Sequence, residues 1–246
     1  MTEAPPDTAF VCTDMVVRFG AVPALDGCSM TLPSRGAISV IGENGSGKST
    51  LLDVLSGFVP LTAGSVTDAA GTDCSRSVLR GTVSRLHQRV VLPPQLGVHE
   101  YLSICARAST AARVSTPQSF FAREEPQDQA LDELLSATGI VDRTRNIDQL
   151  SWGQQRIVAV CGILATSKIV VLLDEPFAGI AGPVRKILMD VLVHAAQTRL
   201  VVFSEHDLRY AARAERVIVL KAGRVARDVP ATELPESSSL MPYFGE

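Results

Sequence analysis

Gly42-Glu43-Asn44-Gly45-Ser46-Gly47-Lys48-Ser49-Thr50 is the stretch that decides the fold. It fits the spacing G-x-x-x-x-G-K-[ST], and both flanks supply the context that spacing needs. The apolar run Ile38–Ile41 reads as a strand before it, and Leu51–Gly57 reads as a helix after it. Glycines let the backbone wrap closely around phosphate oxygens, and successive inward N–H groups form an anion nest. A helix starting near Lys48 adds the positive end of its dipole. Lys48 would then bridge the β- and γ-phosphates, and the Ser49 hydroxyl would ligate Mg²⁺. Asn44, Gly45, Ser46, Gly47 and Thr50 complete the candidate phosphate cradle. The alternative is an ordinary Gly-rich turn before a helix. The two glycines with Lys-Ser-Thr, in this context, argue for a nucleoside triphosphate site instead.

Short apolar runs rich in Val and Ile recur outward from this turn: Ala37–Ile41, Ile169–Leu173, Leu200–Phe203 and Val217–Leu220. They are nearly continuous rather than alternating, as suits strands buried on both faces of a parallel sheet. Helical patterns lie between them. Pro183–Gln197 carries Ile187, Leu188, Val191, Leu192 and Ala195 on one face, with Pro183 at a first helical position. Strand–helix alternation implies α/β architecture with right-handed crossovers. From Glu100 to about Leu150 no convincing strand is visible; helical patterns at Val98–Ala112 and Asp128–Ala137 are broken by Ser115–Gln118 and Pro126. This middle reads as a helical subdomain inserted into the α/β core. Gly64–Leu79 reads as loop or edge-strand material.

Composition narrows the class further. The chain has 246 residues, 46% of them hydrophobic and 20% charged, which suits one folded domain rather than a disordered chain. Lys+Arg number 23 against 26 for Asp+Glu, so no electrostatic footprint for nucleic acid is present. No run approaches the roughly 18–20 apolar residues of a membrane-spanning helix. Met1–Asp7 is acidic and Pro-rich, unlike a signal peptide. Cys12, Cys28, Cys74, Cys105 and Cys161 are scattered without a C-x-x-C pair, which reads as reduced cytosolic thiols.

Two more strand ends carry chemistry. Ile169–Leu173 runs into Asp174-Glu175-Pro176. An apolar strand ending in a carboxylate supplies the Mg²⁺-holding group of a phosphate-loop NTPase, here Asp174. Glu175, facing the other way, would polarise a water for attack on the γ-phosphate. Leu200–Phe203 runs into Ser204-Glu205-His206-Asp207, and His206 would reach the γ-phosphate, because doubly wound sheets bind ligands at the carboxyl ends of their strands. A solvated acidic cap and a surface histidine are the plain alternatives. Leu150-Ser151-Trp152-Gly153-Gln154-Gln155-Arg156 opens another apolar helix, Ile157–Ala165, with Ser151 a good N-cap and Gly153 leaving room for a phosphate at the helix start.

Taken in order, these motifs resemble the ATP-binding subunit of an ABC transporter over nearly the whole chain. The counterparts are the phosphate loop Gly42–Thr50, a Gln-containing loop, the signature Leu150–Gln154, the acidic strand end and the switch histidine His206. The resemblance implies a phosphate-loop NTPase core with a mostly parallel sheet, antiparallel β material near the N-terminus and an inserted helical subdomain. It implies one nucleotide-binding domain over residues 1–246, with a core of about 1–97 and 157–246 and a helical part of about 98–156. It makes Phe19, in Arg18-Phe19-Gly20, the candidate for stacking on adenine, at about 1–3 kcal/mol by analogy with base–aromatic contacts; core packing is the alternative. It makes Gln88, rather than Gln95, the glutamine that touches Mg²⁺ or the attacking water, because Leu96-Gly97-Val98-His99-Glu100 follows at the family's interval. It implies that Ser151, Gly153 and Gln154 close over the γ-phosphate of a second subunit.

Narrower features are similar to the branched-chain amino acid importer branch: Trp152 in the signature, no Asp in Ala178-Gly179-Ile180-Ala181, and the ending Pro242-Tyr243-Phe244-Gly245-Glu246. Ala181 stands where many relatives carry Asp, which bears on coupling between subunits. The activity so implied is Mg²⁺-dependent ATP hydrolysis on the inner face of the cell membrane. It would be coupled to import of amino acids or similar small polar solutes through partner permeases, with a second cassette and, indirectly, a solute-binding protein, and with no nucleic acid partner. Three other readings share the motifs: an ATP-gated dimerisation module that barely turns over, a soluble ATPase of ribosomes or DNA, and a lipid or lipopolysaccharide export ATPase.

Overall fold

The glycine-rich turn sits at the carboxyl end of a central strand, and the other elements are arranged about that strand. The computed structural model describes residues 7–110 and 126–234. Its first half runs β1 (Thr8–Phe19), β2 (Val22–Pro33), β3 (Gly36–Gly42), α1 (Lys48–Leu55), β4 (Ala63–Thr67), α2 (Arg76–Thr82), β5 (Val83–Leu86) and α3 (Val98–Thr110). The second half runs α4 (Pro126–Ala137), α5 (Trp152–Leu164), β6 (Val170–Leu173), α6 (Gly182–Ala196), β7 (Leu200–Ser204), α7 (Leu208–Ala211), β8 (Arg216–Lys221) and β9 (Arg224–Pro230).

Six strands form the central sheet in the order β5-β6-β7-β3-β8-β9. The first five are mutually parallel, and β9 closes the edge as an antiparallel hairpin partner of β8. Every residue of β3, β6 and β7 is buried, as their unbroken apolar runs require. The period of two sends Ile38, Val40, Val170, Leu172, Leu200 and Val202 to one face, toward α1 and a second, antiparallel sheet ordered β2-β1-β4. Their neighbours Ala37, Val171, Leu173, Val201 and Phe203 go to the other face, where α5 and α6 cover them and α4 packs on those two helices. Each fully buried Val, Leu or Phe contributes about 1.5–3 kcal/mol relative to exposure, so this two-sided burial fixes where the strand ends lie.

The architecture is α/β with a mixed sheet, as expected from the alternation of strands and helices. Details differ. Gly64–Leu79 is not uniform: Ala63–Thr67 is an edge strand, and a turn then leads into α2, capped by the Ser75 hydroxyl. Between Val98 and Leu150 the described residues contain helices and no strand, joined to the core by an isolated bridge between Gly97 and Asn146. Helix α5 is continuous through residues 156 and 157 and, from Arg156 onward, is mostly buried beneath the central sheet. Ser115–Gln118, Ala112, the first six residues and the Pro242–Glu246 ending lie outside the described residues.

Candidate functional site

Pairing in the central sheet brings three loops to one edge. Val40 of β3 lies beside Ser204 of β7, and Leu173 of β6 lies beside Phe203, so the residues after all three strands meet. The loop after β3 can turn there only because of its glycines. Gly47, the N-cap of α1, has φ +105°, and a Cβ on it would lie 2.5 Å from the Ala24 carbonyl oxygen. A Cβ on Gly42 would overlap the Leu220 carbonyl and the Ser46 hydroxyl. Lys48, 7% exposed, donates from Nζ to the carbonyls of Gly42 (2.8 Å) and Glu43 (2.9 Å). Burial pushes its ammonium pKa down, while the nearby Glu175 and Asp174 carboxylates push it back up. Asn44 and Gly45 are exposed at the rim, and Thr50 is half-buried on α1.

Asp174 is the most constrained group of the site. It is 2% exposed, and burial alone would raise its pKa. Hydrogen bonding from Ser204 and Ser49 and the Arg85 guanidinium outweigh that and hold the carboxyl below its ordinary range. The Ser204 hydroxyl donates to Oδ1 at 2.7 Å, and Arg85 Nη2 donates to Oδ2 at 3.1 Å. Arg85 also pairs with Asp53 at 3.0 Å and donates to the Leu86 carbonyl at 2.7 Å, so its buried charge is fully engaged. Ser49 thus lies close enough to Asp174 to help hold its pKa down, which sets the phosphate loop beside the acidic strand end.

Glu175 follows in the left-handed region, at φ +48°, an uncommon place for a residue with a side chain. This turn, rather than strand alternation, aims it away from Asp174. Its N–H donates to the Ser204 hydroxyl at 2.8 Å, and its carboxylate Oε1 lies 2.9 Å from His206 Nε2. The strained backbone is held by Arg156 of α5, whose guanidinium donates to the carbonyls of Glu175 (3.1 and 2.6 Å), Asp174 (2.6 Å) and Gln88 (2.7 Å). Gln88 itself is exposed, and its carbonyl is what anchors it to this hub.

The other expected residues are distributed as follows. Ser151 caps α5 in a reciprocal box: its hydroxyl accepts from the Gln154 N–H at 3.3 Å, and Gln154 Oε1 accepts from the Ser151 N–H at 2.9 Å. Gln154 Nε2 donates to the Thr138 carbonyl at 2.9 Å, so both polar ends of this side chain are spent inside the chain. Gln154 thereby shapes the start of α5. Gly153 has no room for a side chain, since a Cβ would lie 2.8 Å from the Gly179 carbonyl. Trp152 is 55% exposed and lies against Gly179. Phe19 is 61% exposed at the tip of the β1–β2 hairpin, which sets aside core packing.

Four groups were missed by motif reading. Arg85, Arg156 and Ser204 stabilise the carboxylates from behind, and Glu205 lies buried beneath His206. A charged residue inside an apolar strand or helix run was the available signal for both arginines, because such charges are buried only when partnered.

The cradle fits a triphosphate with a divalent ion. Ser46 Oγ is buried with no hydrogen-bond partner among the described residues, an orphan that a phosphate oxygen would satisfy. The Ser49 hydroxyl and Asp174 carboxylate offer the hard oxygen donors that Mg²⁺ takes together with phosphates.

Comparison with known proteins bears on the same region. The family described as ABC transporter matches residues 25–178. The chain is 35% identical over 209 residues to the phosphonates import ATP-binding protein PhnC 2 of Nostoc sp., covering 82% of this chain and 84% of that protein. It is 28% identical over 230 residues to the thiamine import ATP-binding protein ThiQ of Chelativorans sp., covering 87% and 89%. In fold it matches a dimeric ATP-binding cassette in a post-hydrolysis state bound to ADP and Pi, with a TM-score of 0.70 at 22% identity, covering 90% of this chain and 98% of that one.

Proposed function

The chain belongs to the ABC transporter family, and we propose that it is the ATPase subunit that drives import of a small polar or charged solute through partner membrane permeases. The family's ATP-binding subunits are ATPases, and ATP is accordingly the substrate here. The observation that carries the reading is the convergence of Ser49 on Asp174 and of His206 on Glu175 at neighbouring strand ends.

Each residue then has a part. Gly45, Ser46 and Gly47 wrap the phosphates, with Asn44 and Thr50 at the rim. Lys48 exchanges its two loop carbonyls for phosphate oxygens. Ser49, Asp174 and Gln88 would hold Mg²⁺, which would supply neutralisation of phosphate charge. Glu175 accepts the proton of the attacking water, and His206 orients that carboxylate and contacts the γ-phosphate. Phe19 stacks on the adenine. Ser151 and Gly153 of a second cassette, identical or not, close the site with the positive end of α5. Catalysis is mainly positioning and charge stabilisation.

Import is favoured over export because the relatives above carry import names, for phosphonates and for thiamine. Those names do not favour the branched-chain amino acid branch that Trp152 and Ala181 resemble, so the solute is assigned no further than small and polar or charged. Among the described residues no helix is long and apolar enough to cross a membrane, in keeping with a subunit that borrows its pore and docks on the inner face.

The test is steady-state phosphate release with and without Glu175→Gln. The variant should bind ATP and accumulate as a dimer while losing turnover by about 10²–10³-fold, the scale of losing a catalytic proton acceptor. A rate equal to that of the unsubstituted chain would overturn the assignment.

A further inference from the structure

His206 reaches Glu175 only if the short segment between β7 and α7 is held in one conformation. That segment leaves the sheet at Ser204, and the next residue, Glu205, turns inward rather than out. Glu205 is 5% exposed, although a carboxylate is seldom buried without strong partners. Its partners are local and specific. Oε1 accepts the backbone N–H of His206 at 3.0 Å and of Asp207 at 2.9 Å, and Arg185 Nη2 donates to the same oxygen at 3.3 Å. The two N–H groups belong to the residue whose ring meets Glu175 and to the cap of α7, so one buried oxygen fixes the backbone on which the ring is mounted.

Arg185 is itself immobilised. Its guanidinium carbon lies 4.4 Å from the Tyr210 ring centroid and 5.6 Å from that of Phe177, and those two rings stack 5.3 Å apart. It projects from the first turn of α6, directly after the loop 178–181 that follows Glu175. A rigid arginine on one side and two backbone donors on the other leave the carboxylate one position to occupy.

We propose that Glu205, clamped by Arg185, is the positioning residue that sets His206 Nε2 against Glu175. The inference rests on the proposed roles of Glu175 and His206 and adds to them the group that makes the switch segment rigid. Glu205 does not touch substrate; it acts through His206.

The experiment is a double-mutant cycle on the full chain, read by ATPase kcat and KM, with ATP affinity and thermal melting measured on every variant. Glu205→Ala should lower kcat by about 10–100-fold, the usual cost of losing a group that orients a functional side chain, with KM for ATP changed by less than about twofold. Glu205→Gln keeps a carbonyl oxygen for both N–H groups and should return kcat to within about threefold of the unsubstituted chain. In a His206→Ala background, Glu205→Ala should cost no further activity. Equal losses in both backgrounds, or a rise in KM matching the fall in kcat, would overturn the proposal by making Glu205 merely structural. If Glu205→Ala does not fold, Arg185→Met carries the same test: it frees the carboxylate and should lower kcat by about threefold to tenfold only when His206 is present. Equal Arg185→Met losses in both backgrounds would overturn it. Failure of the underlying reading looks different, because His206→Ala alone would then hydrolyse ATP like the unsubstituted chain.

Discussion

Replacing Arg156 by methionine isolates the contribution of the buried hub. The guanidinium is 1% exposed and makes hydrogen bonds to three carbonyls, those of Gln88, Asp174 and Glu175. Methionine fills much of the volume but donates nothing, so those carbonyls lose their donor. An unsatisfied buried carbonyl costs about 1–3 kcal/mol. Three would cost up to about 9 kcal/mol if all stayed dry, but the loop around exposed Gln88 lets water return. With two carbonyls left dry the cost is about 2–6 kcal/mol, and we expect that range for Arg156→Met. Against a stability of about 5–15 kcal/mol the variant should still fold. Urea unfolding with an unchanged m-value would read the loss as a lower midpoint. The catalytic effect should exceed the stability effect in specificity. Glu175 is held at φ +48° by this donor, and freeing it removes about 1–3 kcal/mol of stored strain that the active arrangement needs. Turnover should therefore fall by at least tenfold while ATP affinity, set by the phosphate loop, stays within about threefold. A loss of under about 1 kcal/mol, or weakened ATP binding with normal turnover, would refute this account of Arg156.

Gly179→Ala should be costly for two separable reasons: its φ is +70°, and the new Cβ would overlap the Trp152 ring. We expect a loss of about 2–4 kcal/mol in urea unfolding, part of it recovered by adding Trp152→Gly, which removes the overlap but not the backbone strain. Strictly additive losses would contradict the packing described. Acid stability follows Asp174. Its folded pKa lies below the ordinary 3.8, so its stabilising contribution is complete above that unfolded value and is lost as pH falls through the lower folded one. The stability gap between the unsubstituted chain and Asp174→Asn should therefore be constant near neutrality and narrow at the acid end. A gap unchanged down to pH about 3 would argue against the Ser204, Ser49 and Arg85 contacts as its source.

Legibility in the sequence followed how local the physics was. The phosphate loop could be read because its glycines, lysine and hydroxyl answer to one backbone conformation, and strands β3, β6, β7 and β8 could be read because two-sided burial demands unbroken apolar runs. Strands β1 and β2 answer instead to a one-sided surface, with burial alternating and then broken by bulges such as that between Cys12 and Met15, so their pattern blurs. Strand β5 is four residues long and carries Arg85, whose charge disguises it as surface. The carboxylates and His206 could be located as strand ends, but their supports could not. Arg156 lies far along the chain from Gln88, and Glu205 is buried by Arg185 of another element, contacts that no spacing rule encodes.

Those nonlocal contacts bear on how two nucleotide sites in a closed dimer could communicate within one chain. The helix that begins at Ser151 is proposed to meet the nucleotide of the partner cassette, and its first turns also carry Trp152 and Arg156. Trp152 lies on Gly179, and Gly153 sits under the Gly179 carbonyl, so the start of α5 cannot shift without moving the loop that follows Glu175. Arg156, one turn on, holds Glu175 and Gln88 by their carbonyls. Pressure on the start of α5 would thus reach Glu175, the proposed proton acceptor, through steric contact and through a shared guanidinium. Ala181 offers no carboxylate for a polar link across the interface. The loop before it is instead tied to α5 by a tryptophan seated on a glycine, a coupling that requires close packing rather than charge and that should therefore be insensitive to salt.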